Sequence, residues 1–279
     1  GVDPRKVQGT GAGGRVTKKD RLGFIRQRGA PAVPAATAAA PAPPRFAAGE
    51  RTSREAMSVM RKKIAEHMVE SRRTSAHVHS VFEIDLTTVA RLRGKHKQAY
   101  LERHGAKLTY MPFFIKAVCD GLKDWPVLNA SVEEDEIVYK KDLNIGIAVA
   151  LDRGLIVPVI RNAEELSIAG LGKRVQDLAL RARNKQLSPD EVQEGTFTIT
   201  NPGQFGGLFG LPIINQPQVA ILAIGAIQRR PVVIDEAIAI RSMAYVALSY
   251  DHRVVDGAVA DQFLAQVKHV LENFDESLL

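Results

Sequence analysis

Between residues 29 and 51 the chain runs Gly-Ala-Pro-Ala-Val-Pro-Ala-Ala-Thr-Ala-Ala-Ala-Pro-Ala-Pro-Pro and on to Arg51, and this stretch constrains the fold more than any other. Alanine offers little apolar area and proline removes a backbone donor, so the stretch cannot bury a core. It is expected to be an extended, semi-rigid linker. The chain therefore divides into three zones. Residues 1–28 are Gly-rich and basic, residues 29–51 form the linker, and only residues 52–279 carry the apolar patterning of a folded domain.

Charge follows the same division. The net charge is +7, but residues 1–50 hold nine Lys and Arg against Asp3, Asp20 and Glu50, leaving the remainder close to neutral. A basic arm on a neutral body reads as a docking segment for an acidic partner. Only Phe24 and Phe46 supply aromatics there, so protein docking is expected and nucleic acid is not. Hydrophobic residues make up 45%, but no apolar run approaches the roughly 20 residues of a membrane span, and no signal-peptide pattern opens the chain. The single cysteine, Cys119, excludes an intrachain disulfide and fits a reducing compartment. It falls in the apolar helical stretch 113–122, where packing is the expected role.

Within 52–279 the periodicity alternates between helix and strand. Thr52 and Glu55 have capping-box spacing, and Met57, Met60, Ile64 and Met68 mark one face of an opening helix. Val78, Phe82, Ile84 and Leu86 alternate as a half-buried strand, and helices follow at about 87–103 and 110–123. Residues 144–150 and 155–160 read as strands paired around an Asp152-Arg153-Gly154 turn. Ser167 starts a helix to about Asn184. Strands are expected near 196–200, 219–227 and 232–240, and a last helix runs to about Asn273. Such an order suggests an α/β layered domain with a mixed sheet and flanking helices.

The chemistry concentrates where strand-forming residues 243–249 give way to that last helix. Tyr250-Asp251-His252-Arg253-Val254-Val255-Asp256-Gly257 occupies the junction. Reactive side chains commonly sit at loops held by rigid elements, and histidine can take a proton near neutrality. His252 reads as a general base. Asp256, four residues on, could orient the loop. His77 and His79 flank Val78 on one strand face, but no Cys, Asp or Glu cluster accompanies them, so no metal is expected. Gly9-Thr10-Gly11-Ala12-Gly13-Gly14 fits Gly-x-Gly-x-x-Gly but lacks the preceding strand and βαβ unit that a dinucleotide site needs. Arg61-Lys62-Lys63 and Arg72-Arg73 read as a solvated helix face.

The run Asp251 to Gly257 resembles the Asp-His-Arg-x-x-Asp-Gly signature of the dihydrolipoamide acyltransferase components of 2-oxoacid dehydrogenase complexes. Thr198-Ile199-Thr200-Asn201 and Asn144-Ile145-Gly146-Ile147-Ala148-Val149 follow the family's order. The resemblance implies a fold like chloramphenicol acetyltransferase, with trimers as building blocks and active sites at subunit interfaces. These trimers would assemble into a cubic or dodecahedral core, a 24-mer or 60-mer, with Ser277-Leu278-Leu279 as a candidate anchor between trimers. It implies acyl transfer between a dihydrolipoyl group and CoA, without a metal. His252 would remove the thiol proton, Thr200 would donate to the oxyanion and Asp256 would be organisational. Arg61 and Arg72 become candidates to meet the CoA phosphates. No lipoyl domain with its Asp-Lys-Ala turn is present in this chain, so the lipoyl group is expected from elsewhere.

Residues 1–20 resemble the peripheral-subunit-binding domain of the same proteins, without its first helix. Arg15 and Lys18 are the candidate contacts to dihydrolipoamide dehydrogenase or a 2-oxoacid decarboxylase component. The implied location is the bacterial cytoplasm, or the mitochondrial matrix in a eukaryote. Succinyl, with a place in the tricarboxylic acid cycle, is the preferred acyl group. Acetyl and branched-chain groups are the alternatives, because Gly225 and Gly207 stand where the succinyl subfamily is expected to carry histidine and serine. A non-catalytic scaffold is disfavoured by the retention of His252 and Asp256, and a free-standing antibiotic acetyltransferase by the linker and basic arm.

Overall fold

The structure is a computed structural model and describes Val16, Phe46, residues 49–151 and residues 154–279. The candidate docking residues Arg15 and Lys18, nearly all of the arm and linker, and the turn residues Asp152 and Arg153 lie outside the described residues. The chain divides into two compact units, Gly1–Ser53 and Arg54–Leu279. The second carries the fold.

It opens later than the capping-box spacing suggests. Residues 52–58 are not helical, and α1 spans Val59–Thr74, with the Ser58 hydroxyl accepting from the Arg61 N–H at 3.2 Å. The Thr52–Glu55 box lost because nothing apolar supports a turn there. Met57 and Met60 are exposed, and of α1 only Ser71 is buried. A short helix without tertiary packing is marginal, so the nearer cap at Ser58 sets the start.

β1 (His77–Asp85) leads to α2 (Thr87–His104) and α3 (Met111–Asp124). A small β2–β3 ribbon (Ala130–Glu133, Glu136–Tyr139) stands apart from the main sheet. The expected pair 144–150 and 155–160 forms, but broken in two. β4 (Ile145–Ile147) pairs with β7 (Val159–Ile160) in the main sheet, while β5 (Val149–Leu151) and β6 (Gly154–Ile156) make a separate ribbon. Pro158 has no N–H to donate to a ladder, and Ala148 N–H is instead taken by Ile199 O at 2.9 Å. α4 (Ile168–Arg183) is capped by Ser167 and ends at Asn184, as its sequence suggests.

β8 (Phe197–Thr200) and β9 (Ala220–Ile224) run parallel at the sheet's centre. The expected strand at 232–240 is a hairpin instead. β10 (Gln228–Ile234) turns through Asp235 and Glu236, at φ 48° and 64°, into the long β11 (Ala237–Asp251). Positive φ at both central residues is the tight-turn geometry that matches strand twist. The Asp-Glu pair hid it, since glycine or asparagine is the usual signal. The main sheet is ordered β1-β11-β9-β8-β4-β7, with β10 also paired to β11, and is mixed.

α5 (Gly257–Glu272) packs on β1 and on α3, and α3 packs on α4. The core between sheet and helices is built from large buried side chains, with Phe197 and Phe263 rings 6.0 Å apart. Cys119 lies in it, 1% exposed, and burial above all pushes its thiol up to about 12. A thiol held protonated at neutral pH is a packing group, not a nucleophile.

Candidate active site

The strand-to-helix junction is pinned from beneath. Tyr250, Asp251 and Val255 are buried, and the N–H groups of Val254 and Val255 both donate to Asp251 O at 3.1 and 3.0 Å. This tight turn pushes His252 and Arg253 outward, where both are exposed. The His252 N–H donates to Ala76 O at 2.9 Å, and its ring lies 6.0 Å from that of Tyr250. Its backbone is therefore fixed while its imidazole faces outward.

Asp251 does the fixing. Its carboxylate accepts from Ala76 N–H at 3.1 Å and from the Arg253 guanidinium, with the shorter contact 2.7 Å. Burial would raise this carboxyl, but donors from Arg253, Ser75 and Ala76 outweigh it and hold the group below the usual carboxylate range. Sequence reasoning passed over Asp251 as a site residue. A signal existed: an acid two residues before an arginine, at the end of a strand otherwise apolar for six of its last eight positions. Asp256 does not take that part within one chain. It is exposed, precedes α5 without a side-chain cap, and finds no ion-pair partner among the described residues.

Thr200 stands at the C-terminal end of β8. Three threonines share this segment, and their hydroxyls differ. Thr198 donates to Gln218 Oε1 at 2.7 Å and Thr196 is engaged by Asn144, but Thr200 Oγ1 makes no hydrogen bond with any described residue. It is half-buried and free to donate.

Register separates Thr200 from His252. Thr200 is level with Ala223 on β9, and Ala223 with Ala247 on β11. His252 lies five residues farther along and two strands across, which puts the two Cα atoms about 15–20 Å apart at roughly 3.3 Å per residue and 4.8 Å per strand. Within one chain the imidazole and the hydroxyl cannot meet.

A cleft of about 630 Å³ opens beside Asn201 and Gly203, directly after Thr200. Its buried wall includes Phe114, Ile147 and Ile224, and exposed Lys107 and Arg183 also line it. Arg61 and Arg72, on α1, are not among its lining residues. Gly225 closes one wall. Its N–H donates to Tyr245 O at 2.8 Å, a Cβ there would run into the Leu208 carbonyl oxygen, and a Cβ on Gly203 would run into the Gly225 carbonyl. The histidine expected at position 225 thus has no room unless the Leu208 loop moves. Gly225→Ala should destabilise the fold by about 1–3 kcal/mol, as overpacking does. A melting temperature equal to the parent's would show that the loop yields freely.

His77 and His79 are both engaged in hydrogen bonds. His77 uses both ring nitrogens, Nδ1 at 3.0 Å from Ser75 O and Nε2 accepting from Ile214 N–H at 3.0 Å. His79 Nδ1 is 2.8 Å from Ser249 Oγ, and burial, followed by His77 and Arg72, lowers its affinity for a proton.

Comparison with known proteins agrees with this layout. The family model for the 2-oxoacid dehydrogenases acyltransferase (catalytic domain) matches residues 49–279. The dihydrolipoyllysine-residue succinyltransferase component of the 2-oxoglutarate dehydrogenase complex of Rickettsia bellii is 42% identical over 278 residues, covering 100% of this chain and 68% of the relative. The acetyltransferase component of the pyruvate dehydrogenase complex of Corynebacterium glutamicum is 44% identical over 290 residues, covering 100% of this chain and 43% of the relative. Among solved structures, the cubic core of a pyruvate dehydrogenase multienzyme complex superposes with a TM-score of 0.79 at 34% identity, over 86% of this chain and 99% of that one.

Proposed function

Since the chain belongs to the 2-oxoacid dehydrogenase acyltransferase family, matched across residues 49–279, we propose that it transfers an acyl group between CoA and the dihydrolipoyl group of a 2-oxoacid dehydrogenase complex, at sites shared between copies of the chain. The observation that carries this reading is the pairing of an outward-facing His252 with an unengaged Thr200 hydroxyl that one chain holds too far apart to cooperate. A second copy supplies the missing half of each site, and closed symmetry then gives every copy the same environment. A homotrimer is the smallest assembly of the kind the resemblance implies. The relative solved as a cubic core supports further assembly of such units into a 24-mer.

The chemistry uses few groups. His252 takes the proton from the attacking thiol, of CoA in one direction and of dihydrolipoamide in the other. The thiolate attacks the thioester carbonyl carbon, and the carbonyl oxygen becomes an oxyanion that the Thr200 hydroxyl meets with a hydrogen bond. When the tetrahedral species collapses, the departing thiolate recovers the proton from the imidazolium. The net change is one thioester exchanged for another. Asp251 and Arg253 keep the imidazole's backbone still throughout. Lys107 and Arg183 are better placed for CoA's phosphates than Arg61 and Arg72, because only the former pair lines the cleft next to Thr200.

Succinyl remains the leading acyl group. The Rickettsia bellii relative is named for it. Steady-state rates with succinyl-, acetyl- and isobutyryl-CoA, each with dihydrolipoamide, test the assignment. The highest kcat/KM is expected for succinyl-CoA. Faster acetyl transfer would hand the role to acetyl, and no transfer from any donor would remove the reading.

A further inference from the structure

The segment Ser75-Ala76-His77 sits between the His252 turn and the loop that joins β8 to β9. On one side Ala76 accepts from His252 N–H and donates to Asp251, which also accepts from the Ser75 hydroxyl. On the other side the loop is held at three points. Ile214 N–H donates to His77 Nε2 at 3.0 Å, the Ser71 hydroxyl donates to Ile214 O at 2.6 Å, and Gln216 Nε2 donates to Ser75 Oγ at 2.7 Å. The backbone N–H of Ile214 can only donate, so Nε2 of His77 must be an acceptor, and Nδ1 carries the proton toward Ser75 O, 3.0 Å away. The tautomer is thereby fixed as neutral and Nδ1-protonated.

We infer that His77 is a positioning residue for acyl transfer: its neutral ring clamps the Ile214 loop to the segment that holds the His252 turn. This rests on the reading of His252 as the base. The same contacts give His77 no part as a base or a metal ligand, since both nitrogens are already engaged. An imidazole spans the two backbone groups in a way no single amide can. Glutamine can place an oxygen near the Nε2 position and accept from Ile214, whereas asparagine is too short and reaches only the Nδ1 position. If the Ile214 bond is what aligns the site, glutamine should rescue and asparagine should not.

The test compares His77→Ala, His77→Asn and His77→Gln with the parent and with His252→Ala, in the assembled protein. For His77→Ala and His77→Asn we expect kcat down about tenfold with KM for CoA within about twofold, because the clamp grips the loop at Ile214, which does not line the cleft, and holds the turn that carries the base. His77→Gln should recover most of kcat. Equal kcat in all three variants, or a glutamine variant no better than asparagine, would overturn the inference while leaving the base assignment intact. A His252→Ala protein with full activity would remove both. Should His77→Ala not assemble, the ranking of glutamine over asparagine still decides the matter.

Discussion

His252→Ala should lower acyl transfer by about 10²–10⁴-fold, the usual worth of a positioned general base, while the protein melts and assembles as before. The imidazole contributes nothing to the core: the side chain is exposed, and the turn beneath it is fixed through main-chain bonds to Ala76 and Asp251. Removing the ring leaves those bonds in place. Loss of rate without loss of stability separates this role from a structural one. Measured kcat near the parent's would show that the proton goes elsewhere.

Thr200→Val should cost about 10²–10³-fold, as the loss of one oxyanion donor does. Valine keeps the β-branched shape, and the hydroxyl it replaces has no partner among the described residues, so β8 should be undisturbed. The two variants become more informative together. If each site draws its histidine and its threonine from different copies, co-expressed His252→Ala and Thr200→Val chains should regain activity that neither has alone. Random mixing in a cyclic assembly gives about a quarter of sites with both groups intact. Sites confined within one chain would show no recovery, and the register argument would then be at fault.

Much of this was legible in the amino-acid order, and the failures have physical causes. The junction at Tyr250–Gly257 was clear because two periodicities meet there, and α3, α4 and α5 were clear because each buries one apolar side. The Thr52–Glu55 box misled because local cap chemistry was read without knowing that Met57 and Met60 face outward. The turn of the 228–251 hairpin fell inside the expected strand 232–240, because an Asp-Glu turn at positive φ carries no glycine to announce it. The separation of Thr200 from His252 depends on β9 lying between β8 and β11, which no local pattern encodes. Asp251 was half legible: its pairing with Arg253 is local, but its hold on Ala76 comes from some 175 positions earlier in the chain.

The β10–β11 ribbon carries a last consequence. Val233 and Ile238 are 75% and 80% exposed on it, and past Met243 toward the tip no third strand pairs with the two among the described residues. A lone pair of strands is marginal in water, and an uncovered strand edge invites pairing with another chain. Dilute, isolated chains should therefore fray at this tip first, whereas crowded chains should hold it in order. Handling and storage of the protein at low concentration would then age it from the hairpin inward.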